Sequence, residues 1–214
     1  MPKDEHPRYE IALLRHGESE GNASGYYQGQ ADGFPLTERG REQAWSLAVY
    51  WQSTGVTFDT CIASPLLRAR ETAEIIADIL GLEVETDPIW MERDNGKFAG
   101  LHHTEVEKSP RDDMRNIYTP IGEHGETEWE LFLRGGRAIQ SILHREPARY
   151  LIVSHGAILN ATMRATLGVT PQPMFRGVWF HFRNTAFASL TYAPESDRWG
   201  VHGVNQRPHW DEDR

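Results

Sequence analysis

The apolar run "YEIALL" at residues 9–14 stops on Arg15 and His16 and turns at once through Gly17, and "YLIVSHGAIL" stops in the same way on Ser154, His155 and Gly156. If the two strands are neighbours, both histidines meet at one rim. Arg68 lies in "SPLLRARETA", in the loop and first helical turn after the strand-like "TCIAS", and brings a second fixed positive charge to that rim. Such a group suits a phosphate. Guanidinium forks match phosphate oxygens bidentately, helix-start amides after Gly17 or Gly156 add donors, and a neutral imidazole nitrogen is a competent nucleophile towards phosphorus. One histidine could attack while the other donates to a phosphoryl oxygen. A leaving alcohol needs a proton, and "WMERDNGKFAG" offers two carboxyl groups for that task, Glu92 and Asp94.

These residues need a scaffold that gathers strand ends. "YEIALL" reads as a first strand, and in "PLTERGREQAWSLAVYW" Thr37 is a helix cap followed by Ala44, Leu47, Ala48 and Trp51 at i, i+3, i+4 and i+7. "TCIAS" is a short buried strand, and the next segment sets Leu66, Ala69, Ala73, Ile76 and Leu80 on one stripe before Gly81 stops it. Residues 93–125 are polar, with scattered glycine and proline and little periodicity, and read as a surface excursion over the active site. Thr127 and Glu130 then have capping-box spacing ahead of a helix carrying Leu131, Ala138, Ile139, Ile142 and Leu143. "YLIVS" is a continuous apolar strand of the kind buried on both faces of a parallel sheet, and "AILNATMRATLG" a helix ended by Gly168. "TAFASLTYA" and "DRWGVHGV", joined by "PESD", read as an antiparallel hairpin. The order predicts an α/β protein, a three-layer α/β/α sandwich with a mostly parallel sheet, helices on both faces and an antiparallel edge. Ligands bind such sheets at the carboxyl ends of the strands.

Composition narrows the classes. The 214 residues are 39% hydrophobic and 25% charged, ordinary for a soluble globular protein, and no composition break forces a split, so residues 1–214 read as one domain. The formal charge of −9 argues against a broad nucleic-acid or acidic-membrane surface. No apolar stretch reaches spanning length and the opening "MPKDEHPRYE" is not a secretory signal, so a cytoplasmic location is the default. The single cysteine, Cys61, sits in a strand-like run and reads as a buried inert thiol. His102 and His103 are adjacent on a loop, do not share the i, i+4 face of zinc hydrolases, and form no HExxH pattern; a solvated loop is the default reading for them, with a place for one of them at the substrate mouth as the alternative.

In order along the chain, "LLRHGESEGN", "LTERGREQA", "SPLLRARETA", "MERDNGKFAG", "HGETEWELFLR" and "VSHGAIL" together resemble the histidine phosphatase superfamily, also called phosphoglycerate-mutase-like. The resemblance covers most of the sequence and implies that family's fold. It implies that His16 is phosphorylated by substrate and then hydrolysed, while Arg15, Arg68 and His155 bind the phosphoryl group. Glu92, through the family's Glu-x-x-x-Gly spacing to Gly96, becomes the proton donor and then the base, in preference to Asp94. Ser19, Asn22, Gln28 and Gly29 fall where family members contact phosphate or substrate, with Gln28 replacing a commoner small residue. Asn205 and His209, in "GVNQRPHW", fall in the family's closing strand and turn and are assigned to structure rather than chemistry.

Within the family a phosphatase gives the phosphoryl group on His16 to water, whereas a mutase returns it to another hydroxyl of a bound phosphoglycerate. Mutases resemble one another in a longer middle insertion with paired arginines, but here Arg93, Lys97, Arg111 and Arg115 stand singly. The reading is therefore a metal-independent phosphomonoesterase that needs no cofactor and acts on a small phosphorylated metabolite. A cofactor-dependent phosphoglycerate mutase is the alternative. A non-catalytic member that binds phospho-ligands or proteins is the alternative of another class, and its expected mark, loss of the nucleophile or the acid, is missing.

Overall fold

The computed structural model describes residues 7–108, 116–173 and 176–210. The sheet is organised around β1 (Tyr9–Arg15), which lies parallel to β6 (Arg149–Ser154) on one side and antiparallel to β7 (Phe187–Ala193) on the other. Together with β3 (Thr60–Ala63), β4 (Val84–Thr86) and β8 (Arg198–Gln206) they form a six-stranded sheet in the order β4-β3-β6-β1-β7-β8. Four strands are parallel and the β7–β8 hairpin supplies the antiparallel edge. This is the sheet that the sequence predicts.

Strand alternation divides the core into two layers. Ile11 and Leu13 of β1, with Ile62 and Ile152, point to the face covered by α5 (Glu128–Leu143) and α6 (Gly156–Thr166), meeting Ala138, Ile142, Leu159 and Met163. Ala12 and Leu14, with Cys61, Ala63, Leu151 and Val153, point to the face covered by α2 (Glu38–Thr54) and α3 (Leu67–Leu80), meeting Ala44, Leu47, Ala73 and Ile76. The expected caps are in place. Thr37 accepts from the Gly40 amide, Thr127 and Glu130 form a reciprocal box, and Gly81 ends α3 in the left-handed region at φ 70°. Burial pushes the Cys61 thiol up to about 12, with Glu85 adding to the effect, so it is inert as expected.

The described part of the excursion is more ordered than its composition suggests. It holds β5 (Leu101–His102), which pairs antiparallel with β2 (Tyr26–Tyr27), and a single turn of helix, α4 (His103–Val106). Elements of two and four residues are too short to carry a period, so pattern reading passes over them. The two limbs are pinned together where Gly96, at φ 53°, lies against the Gly122 carbonyl, and where Glu126 N donates to Asp94 O at 2.8 Å. Arg111 and Arg115 lie outside the described residues.

A second close approach sits under the turn after β1. A Cβ on Gly40 would stand 2.0 Å from Glu18 O, and one on Gly17 would stand 2.5 Å from Gly40 O. The turn thus rests directly on the first turn of α2. Gly40→Ala should lower stability by about 1–3 kcal/mol through this backbone clash, although helix propensity alone favours alanine by about 1 kcal/mol. Urea unfolding decides the sign, and a stabilised variant would mean that the turn can back away from the helix.

Candidate active site

Parallel pairing sets the site. Arg15 lies opposite Ser154 in the β1–β6 register, so the next residues, His16 and His155, leave neighbouring strands together, and their ring centroids are 5.1 Å apart. His16 N donates to Ser154 O at 2.9 Å, which extends the ladder one residue beyond the strand. His16 is 3% exposed and its Nδ1 lies 2.6 Å from Gly17 O. A carbonyl can only accept, so Nδ1 carries the proton and Nε2 keeps its lone pair. Burial drives the His16 pKa well below 6.5, Arg68 and Arg15 push it the same way, and only the Gly17 bond opposes them.

His155 is fully buried with Nε2 at 2.8 Å from Ser64 Oγ. The Leu66 amide donates to the same hydroxyl at 3.3 Å, and when the hydroxyl gives its own proton to His155 Nε2 the ring proton sits on Nδ1. Burial first, then Arg68, His16 and Arg15, depress the His155 pKa as well. Arg68 is 1% exposed, and its Nη2 and Nη1 donate to the carbonyls of Gly29 at 2.8 Å and Ala31 at 3.3 Å. Burial lowers its pKa to about 10, with Glu92 and Asp32 opposing. Arg15 donates through Nη1 to Phe182 O at 2.7 Å. On these side chains Arg15 Nε, Arg68 Nε and His155 Nδ1 are buried without a hydrogen-bond partner.

Glu92 and Asp94 separate cleanly. Glu92 lines the same cavity as Arg15, His16 and Arg68, a space of about 500 Å³, while Asp94 faces a different cleft and caps the following turn at Gly96 N. Glu92 Oε1 accepts from Arg93 N at 2.8 Å, Ala157 N at 3.1 Å and Ile158 N at 3.3 Å. Oε2 accepts from Ala157 N at 3.2 Å. The amides after Gly156, expected to face an anion, therefore hold this carboxylate. The amide of Gly17 is likewise engaged, with Thr72 Oγ1 at 3.0 Å, and the helix after it, α1 (Glu20–Ala23), starts only beyond Ser19.

Of the remaining predicted residues, Asn22, Gln28 and Gly29 line the cavity, whereas Ser19, His155 and Gly156 do not. Ser19 is fully buried behind them as the cap of α1, with its Oγ 3.0 Å from Asn22 Oδ1 and 2.9 Å from Gln28 Oε1. Asn22 Oδ1 also receives Asn184 Nδ2 at 3.1 Å, which turns the Asn22 amino group away from these donors. His102 and His103 do not line the cavity; they cap and begin α4. Asn205 Oδ1 accepts from Arg183 N at 2.9 Å, and His209 Nε2 lies 3.0 Å from Thr185 Oγ1. Among the described residues no group of three or more His, Cys, Asp or Glu is placed to hold a metal ion, and no helix is long and apolar enough to cross a membrane.

Sequence reasoning passes over the residues that fix the site from behind. Arg134 of α5 donates to the carbonyls of Ile89 at 3.0 Å and Met91 at 2.6 Å while paired with Glu126, and Ser154 Oγ donates to Trp90 O at 2.7 Å. Both clamp the backbone that presents Glu92. Their chemistry is addressed to main-chain oxygens, which leaves no sequence pattern. Tyr26, Tyr27, Ile121 and Trp179 also line the cavity, and none falls in a periodic segment that could have flagged it.

The family model of the histidine phosphatase superfamily (branch 1) matches residues 11–207. The chain belongs to this superfamily. It is 32% identical over 210 residues to a protein of Klebsiella pneumoniae named "Probable phosphoglycerate mutase GpmB", covering 94% of this chain and 95% of that one. Among solved structures it is similar to the phosphoserine phosphatase of Entamoeba histolytica in complex with 3-phosphoglyceric acid, at 25% identity and a TM-score of 0.79 over 94% of this chain and 98% of that one. It is also similar to a mycobacterial glucosyl-3-phosphoglycerate phosphatase complexed with VO3, at 25% identity and a TM-score of 0.77 over 92% and 98% of the two chains. Members of this superfamily are phosphatases or mutases, so the chain is an enzyme of that kind.

The depressed histidines have a consequence for stability. In the unfolded chain both rings take up protons near pH 6.5, whereas the folded chain refuses them until lower pH, so stability falls as pH drops through 6.5 towards the folded values. Each ring contributes a slope approaching about 1.4 kcal/mol per pH unit in that window. Urea midpoints measured from pH 7.5 to 5 should decline, and less steeply in His155→Asn; identical profiles for the two proteins would mean that His155 titrates as it does in water.

Proposed function

We propose that the chain, as one domain over residues 1–214, is a metal-independent phosphomonoesterase that acts through a phosphohistidine on His16. The observation that carries this reading is the set of three unpartnered buried nitrogens on Arg15, Arg68 and His155 around an imidazole whose Nε2 is left as a lone-pair donor. Two guanidinium groups and a ring N–H supply preorganised donors for the transferring oxygens, the work that elsewhere falls to a metal ion. Asn22, Gln28 and Gly29 complete the wall beside them, Ser19 acts through Asn22 and Gln28, and Gly156 sets the start of the helix that anchors Glu92.

His16 Nε2 attacks phosphorus, the bond to the ester oxygen breaks, and the leaving oxygen takes a proton from Glu92. Oε1 of Glu92 accepts from the Arg93, Ala157 and Ile158 amides whereas Oε2 only shares that of Ala157, which makes Oε2 the oxygen that carries the proton. Water then attacks the phosphohistidine and returns a proton to Glu92 as the N–P bond breaks, releasing inorganic phosphate and neutral His16. The substrate is a small phosphorylated metabolite. The naming of the curated relatives favours a second reading, phosphoglycerate mutase, in which the phosphoryl group returns to another hydroxyl.

Phosphate release from a panel of phosphomonoesters that includes 3-phosphoglycerate, with chelator present, tests both readings. Release should survive the chelator and vanish in His16→Ala, and rapid quenching should trap acid-labile phosphate on the parent protein. Glu92→Gln should slow alkyl esters by about 10²–10⁴-fold and an activated aryl phosphate far less; equal slowing of both removes Glu92 from the acid role. Conversion of 3-phosphoglycerate to its 2-isomer on addition of bisphosphoglycerate, without phosphate release, would make the enzyme a mutase.

A further inference from the structure

The cavity has a floor and a mouth of different chemistry. His16 and Arg68 at the floor are 3% and 1% exposed, whereas Tyr26, Tyr27 and Trp179 in the same wall are 39%, 36% and 46% exposed. Ile121 joins them. Exposed aromatic side chains gathered at the rim of a concave polar site mark a binding surface rather than ordinary surface apolarity. Tyr26 is also held in place, tilted against Phe34 with ring centroids 5.5 Å apart and met edge-on by His102 at 5.5 Å. A ring packed in this way loses little freedom when a second ring stacks on it.

The mouth has little to offer a second anion. Among the described residues of the wall, the cation beyond Arg15 and Arg68 is Arg93, and Arg93 is ion-paired with the buried Glu128, which Arg164 approaches at 3.3 Å. Withdrawing Arg93 towards a ligand carboxylate would leave a buried charge less well paired. At about 500 Å³ the cavity has room for far more than a phosphoryl group.

We infer that the alcohol released by this enzyme is flat and apolar, stacked on Tyr26 and Trp179 at the mouth, and that small polyanionic esters are poor substrates. This rests on the phosphomonoesterase reading and adds the substrate class to it. Tyr26 and Trp179 are the specificity-determining residues, and Tyr27 and Ile121 close the slot around the ring.

The test pairs the phosphate esters of 2-(1-naphthyl)ethanol and ethanol, two primary alcohols of similar acidity, so that leaving-group chemistry cancels and only the stacked group differs. The naphthyl ester should have a kcat/KM about 30-fold or more above that of ethyl phosphate. Trp179→Ala and Tyr26→Ala should each cut this ratio by about tenfold, and Trp179→Phe should keep most of it. Calorimetry on His16→Ala, which binds without turnover, should give the same preference in Kd and weaker binding of 3-phosphoglycerate than of the naphthyl ester. A ratio below about threefold in the parent protein, or variants that leave the ratio unchanged, or tighter binding of 3-phosphoglycerate, overturns the inference. Absence of His16-dependent phosphate release would instead remove the phosphomonoesterase reading, while the Kd comparison still decides which class of ester the mouth accepts.

Discussion

Two guanidinium groups, that of Arg68 buried and that of Arg15 part-buried, set the terms for everything around them. Arg68 is tied by carbonyl oxygens of Gly29 and Ala31 and Arg15 by that of Phe182, and Glu92 is the carboxylate whose charge both of them feel. Burying cations against neutral dipoles and one anion is costly, and the excess positive potential falls on whatever else is buried nearby. It falls on His16 and His155, which are kept neutral by desolvation and by the two arginines. The same imbalance that makes imidazole a lone-pair donor makes the floor attractive to a phosphoryl dianion. On the proposed reading, nucleophile and electrostatic trap are thus two consequences of one arrangement of charge.

That arrangement depends on main-chain anchors drawn from distant parts of the sequence. The parallel β1–β6 register places the histidines, Thr72 on α3 holds the turn at Gly17, and Arg134 on α5 with Ser154 on β6 holds the segment from Ile89 to Glu92. The glycine contact between Gly17 and Gly40 lets the β1 turn lie on α2 without an intervening side chain. Each anchor is addressed to a backbone atom, so the side chains that face the cavity are positioned by groups that never enter it. A site built in this way is rigid at the floor, where transferring oxygens must be met without reorganisation.

The elements legible in the sequence are those long enough to show a period. The faces of α2, α3 and α5, the buried β6 and the β7–β8 hairpin all follow from apolar spacing, caps and turn residues, and the motif order then brings Arg15, His16, Arg68 and His155 to one rim. Between Glu92 and Asp94 the choice rested on the resemblance, and the geometry separates them because a two-residue step in a tight turn points the side chains into different spaces. The region 93–125 was legible only as polar, since its order comes from β2–β5 pairing and from glycine contacts between its two limbs rather than from local propensity. Asn184, which bonds both His16 O and Asn22 Oδ1, sits in an aperiodic loop and has no signature apart from this three-dimensional position.

On the proposed reading the floor by itself serves hydrolysis and phosphoryl return equally well, because both would begin with the same transfer to the same imidazole. What separates them is how long the dephosphorylated alcohol stays and how it can turn. A mutase has to hold a second anionic group of that alcohol firmly enough to keep it in place while water stays out. Among the described residues of the wall the cation beyond the floor is Arg93, which shares Glu128 with Arg164 inside the protein, and Tyr26, Tyr27 and Trp179 at the mouth are open to solvent. Stacking offers contact area but no fixed handle for reorienting a small polar product. On the proposed reading a small polar alcohol released into such a mouth has little to detain it, and the phosphorylated imidazole is left facing water.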